Sequence, residues 1–432
     1  MKLNYSLLFA IPLMVIFTMD NMFMELAAPH DPPSQGALLN LIIRGSAAIS
    51  FVYSIFYFRR MSNYMKFAFA LLTAYVFALV FESKYVYDSF MVYPHVFLKV
   101  LLFYYIFSMY TFYKGHYHLK FVHLVYFILI FFWMNAILIN PDALSISSFT
   151  HHERGIHSTS VYMMVLPLFY FMSNYFYKGG LYNLGMTFFV LLTIFFFQHR
   201  TVWVVTAVML AIYYLLIKFK TPKPINFATK LLPVVTVMLV MGIASSAFLF
   251  SIHPEIIDKV MENFSDIENM ESQGTGGWRY QQWMSYLPFI QDNFVTGMRF
   301  KGFELPIQFY RDDIDKPVFE DGKGHFFHSF YVDVLFYTGM IGLSLFLTAA
   351  FRPIYQGIKK FQLTTNQIIL FTFVCSGFIF GISYVLPPFY YGVLGLCIVA
   401  MEKESVPRQT YLQDFASRMM ARRQQGRPAV YF

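Results

Sequence analysis

Long apolar runs separated by short polar clusters set the pattern of this chain. Runs close to the length that crosses a bilayer core, about 20 residues, centre on 3–24, 37–58, 65–81, 90–113, 120–139, 161–177, 181–197, 201–219, 231–251, 329–351, 367–386 and 388–401. They predict an all-α polytopic membrane protein of about 12 transmembrane helices. The last run is short enough for a half-span. The first has the charged start (Lys2) and apolar 7–19 stretch of a secretory signal, and we read it as a first helix.

Lysine and arginine assign the sides. Alternate connections carry Lys2; Arg59, Arg60 and Lys66; Lys114 and Lys120; Lys178; Lys218, Lys220, Lys223 and Lys230; Arg352, Lys359 and Lys360; and a tail with Lys403, Arg408, Arg418, Arg422, Arg423 and Arg427. The only acids on that side are Glu402, Glu404 and Asp414. The positive-inside rule therefore predicts that both termini are cytoplasmic.

One outer connection far exceeds the rest. The chain divides into spans 1–9 over 1–251, a large outer loop over 252–328, spans 10–12 over 329–401 and a basic cytoplasmic tail over 402–432. Within the loop, Ile256, Val260, Phe264 and Ile267 predict one amphipathic helix over 253–270, and Trp283, Leu287, Ile290 and Phe294 a second over 278–294. Gly274, Gly276 and Gly277 predict a flexible turn between them. In the tail, Leu412, Phe415 and Met419 opposite Arg418, Arg422 and Arg423 predict a helix resting on anionic membrane lipid.

Composition agrees. The 432 residues are 57% hydrophobic, 21% aromatic and 13% charged, against about 25% charged in soluble proteins. A disordered chain, a disulfide scaffold and an ordinary soluble enzyme are excluded. Cys375 and Cys397 lie in apolar runs as small hydrophobes. The net charge of +8 is distributed by side of the membrane and forms no single patch, so no nucleic-acid partner is expected.

Charge inside a spanning helix costs about 2.5–3.5 kcal/mol near the centre, so Arg44, Lys99 and Asp333 call for partners or a wet cavity. Two readings stand: a buried ion pair of Asp333 with Arg44 or Lys99, or a cationic cavity open to the outside. At the outer boundary, Gln198-His199-Arg200 joins two spans almost without a loop, Arg279 opens the second loop helix, and His328 precedes the tenth span. Guanidinium groups grip phosphate oxygens in pairs, and a neutral imidazole can take a proton near pH 7. Two arginines and a histidine at one boundary point to a phosphate-bearing substrate.

The segment Gly324-His325-Phe326-Phe327-His328-Ser329-Phe330-Tyr331, with Gly339 eleven positions after His328, resembles the His-Ser motif of the O-antigen ligase and polymerase superfamily. Gly277-Trp278-Arg279 with Trp283, then Thr296-Gly297, resembles that family's outer arginine helix and its glycine turn. Phe197-Gln198-His199-Arg200-Thr201 is similar to its short outer loop, with Gln198-His199 where a serine is usual. The resemblance runs over about 185–345.

This resemblance implies an inverting, lipid-diphosphate-dependent glycosyltransferase of the bacterial inner membrane, with its active site facing the periplasm. The donor would be a glycan on undecaprenyl diphosphate, with no metal and no nucleotide cofactor. The acceptor would be a sugar hydroxyl on a growing glycan in a polymerase, or lipid A core (or a protein) in a ligase. Other polysaccharide-assembly proteins would be partners. We lean to the polymerase of a surface polysaccharide, O-antigen or exopolysaccharide. Arg200 and Arg279 would hold the leaving diphosphate and His328 would act as general base, with Arg44, Lys99, Trp283, His325 and Ser329 as substrate contacts. The rival from another class is a secondary transporter using Arg44, Lys99 and Asp333, which usually shows related halves and broken helices at mid-membrane. Two metal patterns are set aside. His152-Glu153-Arg154-Gly155-Ile156-His157 spaces its histidines five apart instead of four, and His325 with His328 supplies only a pair.

Overall fold

A computed structural model of the chain describes residues 45–116, 120–145, 156–221, 225, 229–230, 232–233, 235–236, 240, 274–305, 310–311, 316–317, 327–406 and 420. They form a helical bundle: α1 Gly45–Phe56, α2 Asn63–Tyr87, α3 Pro94–Gly115, α4 Phe121–Met134, α5 Ser158–Met163, α6 Val165–Lys178, α7 Leu181–Phe196, α8 Arg200–Lys220, α9 Gly274–Asp292, α10 Phe330–Lys359, α11 Thr365–Ser383 and α12 Pro388–Lys403. The α3 helix loosens at Leu102 and Phe103, and α4 continues through a wide turn, Asn135–Ile139. A two-residue antiparallel pair, Tyr310–Arg311 with Lys316–Pro317, departs from the all-helical expectation.

Among the described residues, α2, α3, α4 (to Leu138), α8, α10 and α11 are each long and apolar enough to cross a membrane. The shape of their burial agrees with a bilayer as solvent. The α3 helix is mostly enclosed, whereas α2 leaves Phe67, Phe77 and Phe81 exposed on one side. A lipid-facing helix needs no polar outer face, because its backbone groups are satisfied internally.

Predicted runs at 65–81, 90–113, 120–139, 181–197, 201–219, 329–351, 367–386 and 388–401 fall on α2, α3, α4, α7, α8, α10, α11 and α12. The run at 161–177 is instead two helices, α5 and α6, with Met164 between them. Pro167 explains the break: it lacks an N–H and its ring crowds the carbonyl four residues back, at Met163. The helix expected over 278–294 exists but begins earlier, as α9, so Gly274, Gly276 and Gly277 are its first turn and not a flexible linker. First-turn N–H groups have no helical acceptor in any sequence, and Tyr286 and Ile290 bury against the bundle, which offsets the glycines' low helix propensity. The expected helices over 3–24 and 253–270, the start of 37–58, most of 231–251 and nearly all of the tail lie outside the described residues.

Close approach fixes the helix order. The α3 and α12 helices lie side by side, and a side chain at Gly395 would strike the Ile106 carbonyl. The α8 and α11 helices pack antiparallel, with Leu363 donating its N–H to the Lys220 carbonyl at 2.7 Å. Basic helix ends collect together. Lys114 pairs with Glu402 at 2.6 Å, Lys220 donates to the carbonyls of Ile358 and Lys360, and Lys360 donates to that of Glu404. The starts of α8 and α10 and the end of α11 therefore share the opposite end.

At that end two glycines touch. Gly339 kinks α10 with φ 59° and ψ −162°, a backbone region open to glycine alone, and Gly297 turns at φ 69° against it. Met298 N–H donates to the Phe336 carbonyl and Met340 N–H to that of Phe294, so the turn after α9 is sewn onto the kink. A Cβ on Gly339 would lie 2.5 Å from the Gly297 nitrogen. Gly339→Ala should destabilise by about 2–3 kcal/mol, read as a lowered unfolding midpoint in detergent. An unchanged midpoint would mean that the two segments are not docked as described.

Candidate active site

Three elements meet where α9, α10 and α11 converge. The α10 helix starts at Ser329, whose hydroxyl caps it by accepting the Val332 N–H at 3.5 Å and donates to the Gly381 carbonyl of α11 at 3.3 Å. Ser329 thus ties α10 to α11 and is engaged by the fold itself. His328, one residue earlier, is exposed. Its ring packs edge-on against Trp278 of α9, with centroids 4.9 Å apart at 71°.

The same tryptophan borders Arg279. The guanidinium carbon lies 5.5 Å from the Trp278 ring and 4.7 Å over Tyr384, just past the end of α11. Tyr384 stacks on Phe380, which stacks on Tyr162 of α5. Aromatic faces hold a cation without consuming its N–H donors. Arg279 Nε is in fact buried with no hydrogen-bond partner among the described residues. A restrained guanidinium with donors to spare, beside an exposed imidazole, is equipped to grip an anion next to a proton acceptor.

Trp283 lies four residues after Arg279, on the same face of α9. It is half-buried, and its Nε1 also lacks a hydrogen-bond partner among the described residues. Sequence reasoning had not singled out Tyr384. One signal was present: it is the aromatic residue that ends a span immediately before Val385-Leu386-Pro387-Pro388.

Arg200 begins α8. The turn before it is tightly built: Gln198 adopts φ 50°, and buried His199 joins its Nε2 to the Ile156 carbonyl at 2.8 Å. Next to that carbonyl, His157 caps α5 by accepting the Thr159 N–H at its Nδ1. Burial holds the His157 pKa below the ordinary imidazole value, which keeps this acceptor unprotonated. The antiparallel packing of α8 on α11 carries Arg200 to the same end of the bundle as Tyr384. Arg279 and His328 are thus joined through Trp278, and Arg200 shares their end through α8.

Lys99 is placed differently. It forms a buried ion pair with Asp333, one turn into α10, and its ammonium lies 4.8 Å over the Tyr337 ring. The Asp333 carboxylate also accepts the backbone N–H of Phe327, the residue before His328. Of the two partners the sequence left open for Asp333, the structure selects Lys99. Arg44 and His325 lie outside the described residues.

Residues 185–347 match the family described as O-antigen ligase. The matched segment contains Arg200, Arg279, Trp283, His328 and the Gly297–Gly339 contact. No curated protein matches the chain.

Proposed function

We propose that the chain, whose residues 185–347 match the O-antigen ligase family, acts as a membrane glycosyltransferase of the O-antigen ligase and polymerase superfamily that uses a lipid-linked glycan. In our reading the donor is a glycan on undecaprenyl diphosphate, the acceptor is a sugar hydroxyl, and the product is a lengthened surface polysaccharide. The observation that carries this is the Arg279–Trp278–His328 contact, which puts a guanidinium whose Nε has no hydrogen-bond partner among the described residues and an exposed imidazole on one indole.

Arg279 binds the diphosphate through its guanidinium, and Arg200 at the start of α8 supplies a second fork. As the anomeric C–O bond breaks, charge grows on the departing diphosphate. Fixed guanidinium groups in a partly dry site stabilise that state more than the bound donor. His328 takes the proton from the acceptor hydroxyl as it attacks from the face opposite the leaving group. One displacement inverts the anomeric centre. Trp283, on the Arg279 face of α9, offers an indole N–H and an apolar ring to a sugar. Ser329 and the Lys99–Asp333 pair set the start of α10 and hence the position of His328.

The topology that fits has twelve spans, with both termini cytoplasmic, the 252–328 loop and the site on the periplasmic face of the inner membrane, and the 402–432 tail on cytoplasmic lipid. The basic helix ends gathered at one end and the arginine–histidine cluster at the other support this orientation. Incubation of the purified protein with undecaprenyl diphosphate-linked glycan, with and without lipid A core, tests the reaction. Longer glycan on the lipid identifies a polymerase, and transfer to lipid A core identifies a ligase. Unaltered donor in both mixtures would reject the proposal.

A further inference from the structure

At the basic end of the bundle, opposite Trp278, the helices α4, α6 and α11 enclose a cavity of about 290 Å³ lined by Lys120, Lys178, Asn174, Tyr177, Thr365 and Asn366. Lys120 precedes α4 and Lys178 ends α6, so two exposed lysines line the rim of one space. Three other lysines here are engaged, Lys114 by Glu402, Lys220 by the carbonyls of Ile358 and Lys360, and Lys360 by the carbonyl of Glu404, whereas Lys218 and Lys359 rest over aromatic rings away from the cavity lining. Among the described residues, the side chains of Lys120 and Lys178 make no hydrogen bond or ion pair. Among the described residues, no acid lines the cavity. The nearby Glu404 carboxylate is bound by Thr364 and Asn366, which makes it a poor counter-ion for them.

We infer that this cavity binds the phosphate of an anionic membrane-lipid headgroup. Two ammonium groups on one concavity attract a single anion, and Asn174 adds an amide donor beside it. Basic pockets between spanning helices on the lysine-rich side are where anionic headgroups settle. The apolar part of the wall, Phe121, Val122 and Ile369, fits a glycerol backbone and the start of an acyl chain better than a fully hydrated ion. The volume holds a headgroup but not a lipid-linked oligosaccharide, so this is not a second donor site. The inference does not depend on the proposed reaction, because the cavity and the Arg279 cluster lie at opposite ends.

Native mass spectrometry of the purified full chain in detergent, with phosphatidylglycerol, phosphatidylcholine or inorganic phosphate added, tests it. One phosphatidylglycerol should be retained tightly and phosphatidylcholine weakly. The Lys120→Gln/Lys178→Gln variant should lose about thirtyfold in phosphatidylglycerol affinity, and each single variant about fivefold. Lys218→Gln/Lys359→Gln removes the same charge from the same end and should bind normally, which separates a site from a general surface effect. Unfolding midpoints without lipid should match the parent protein in all four variants. Equal affinity for the two lipids, undiminished binding by Lys120→Gln/Lys178→Gln, or an equal loss in Lys218→Gln/Lys359→Gln would overturn the site. Retention of inorganic phosphate as tight as that of the lipid would overturn the headgroup as its source.

Discussion

On the mechanism proposed above, His328→Ala should lower glycan transfer by about 100- to 10,000-fold, the usual cost of losing a general base, while donor affinity stays within a few-fold of the parent. The asymmetry follows from when each charge exists. Proton removal from the acceptor belongs to the transition state, so the imidazole contributes little to binding the donor. The diphosphate is charged before the reaction starts, so Arg279→Ala weakens donor binding and turnover together. The Arg279 guanidinium sits 4.7 Å over Tyr384, its Nε without a hydrogen-bond partner among the described residues, and that position is set by the fold before donor arrives. Arg200→Lys should recover only part of the activity, because an ammonium keeps the charge and loses the fork. Equal loss of donor binding in His328→Ala and Arg279→Ala would make His328 another phosphate contact. Full turnover by His328→Ala would remove it from the chemistry.

Lys99→Met destabilises the protein by about 3–5 kcal/mol, because Asp333 is left buried without its counter-charge. The double variant Lys99→Met/Asp333→Asn should recover much of that loss, since removing both charges removes the desolvation cost as well. Unfolding midpoints of the parent, both single variants and the double variant in the same detergent measure the coupling. The Asp333 carboxylate also accepts the Phe327 N–H beside His328. Asp333→Ala should therefore depress turnover beyond what its loss of folded protein explains, while Asp333→Asn, which keeps an acceptor oxygen, depresses it less. Additive effects of Lys99 and Asp333 substitutions would contradict the pair.

The helices were the legible part of this chain because a bilayer imposes one length on them and lysine marks their ends. Gly339 was legible as a spacing from His328. Its purpose was not, since nothing in a linear pattern shows that it touches Gly297. Asp333 could be recognised as needing a cation, but the choice of Lys99 depends on α3 lying beside α10, a contact between residues 234 apart in the chain. Tyr384 was hidden by abundance: among 32 tyrosines, its place before Val385-Leu386-Pro387-Pro388 is a weak mark until Arg279 is placed over it. The first-turn glycines of α9 misled because local propensity is a weak term beside the packing of Tyr286 and Ile290. Pro167 was readable in advance, yet a continuous apolar run conceals a missing backbone donor.

The most direct measurement is release of undecaprenyl diphosphate from a glycan-loaded donor by the purified protein, with a metal chelator present and no nucleotide added. The account predicts stoichiometric release, with a new glycosidic bond of inverted anomeric configuration in the product, and loss of both in His328→Ala. Movement of intact donor across a vesicle membrane, with no diphosphate released, would contradict it and identify a transporter.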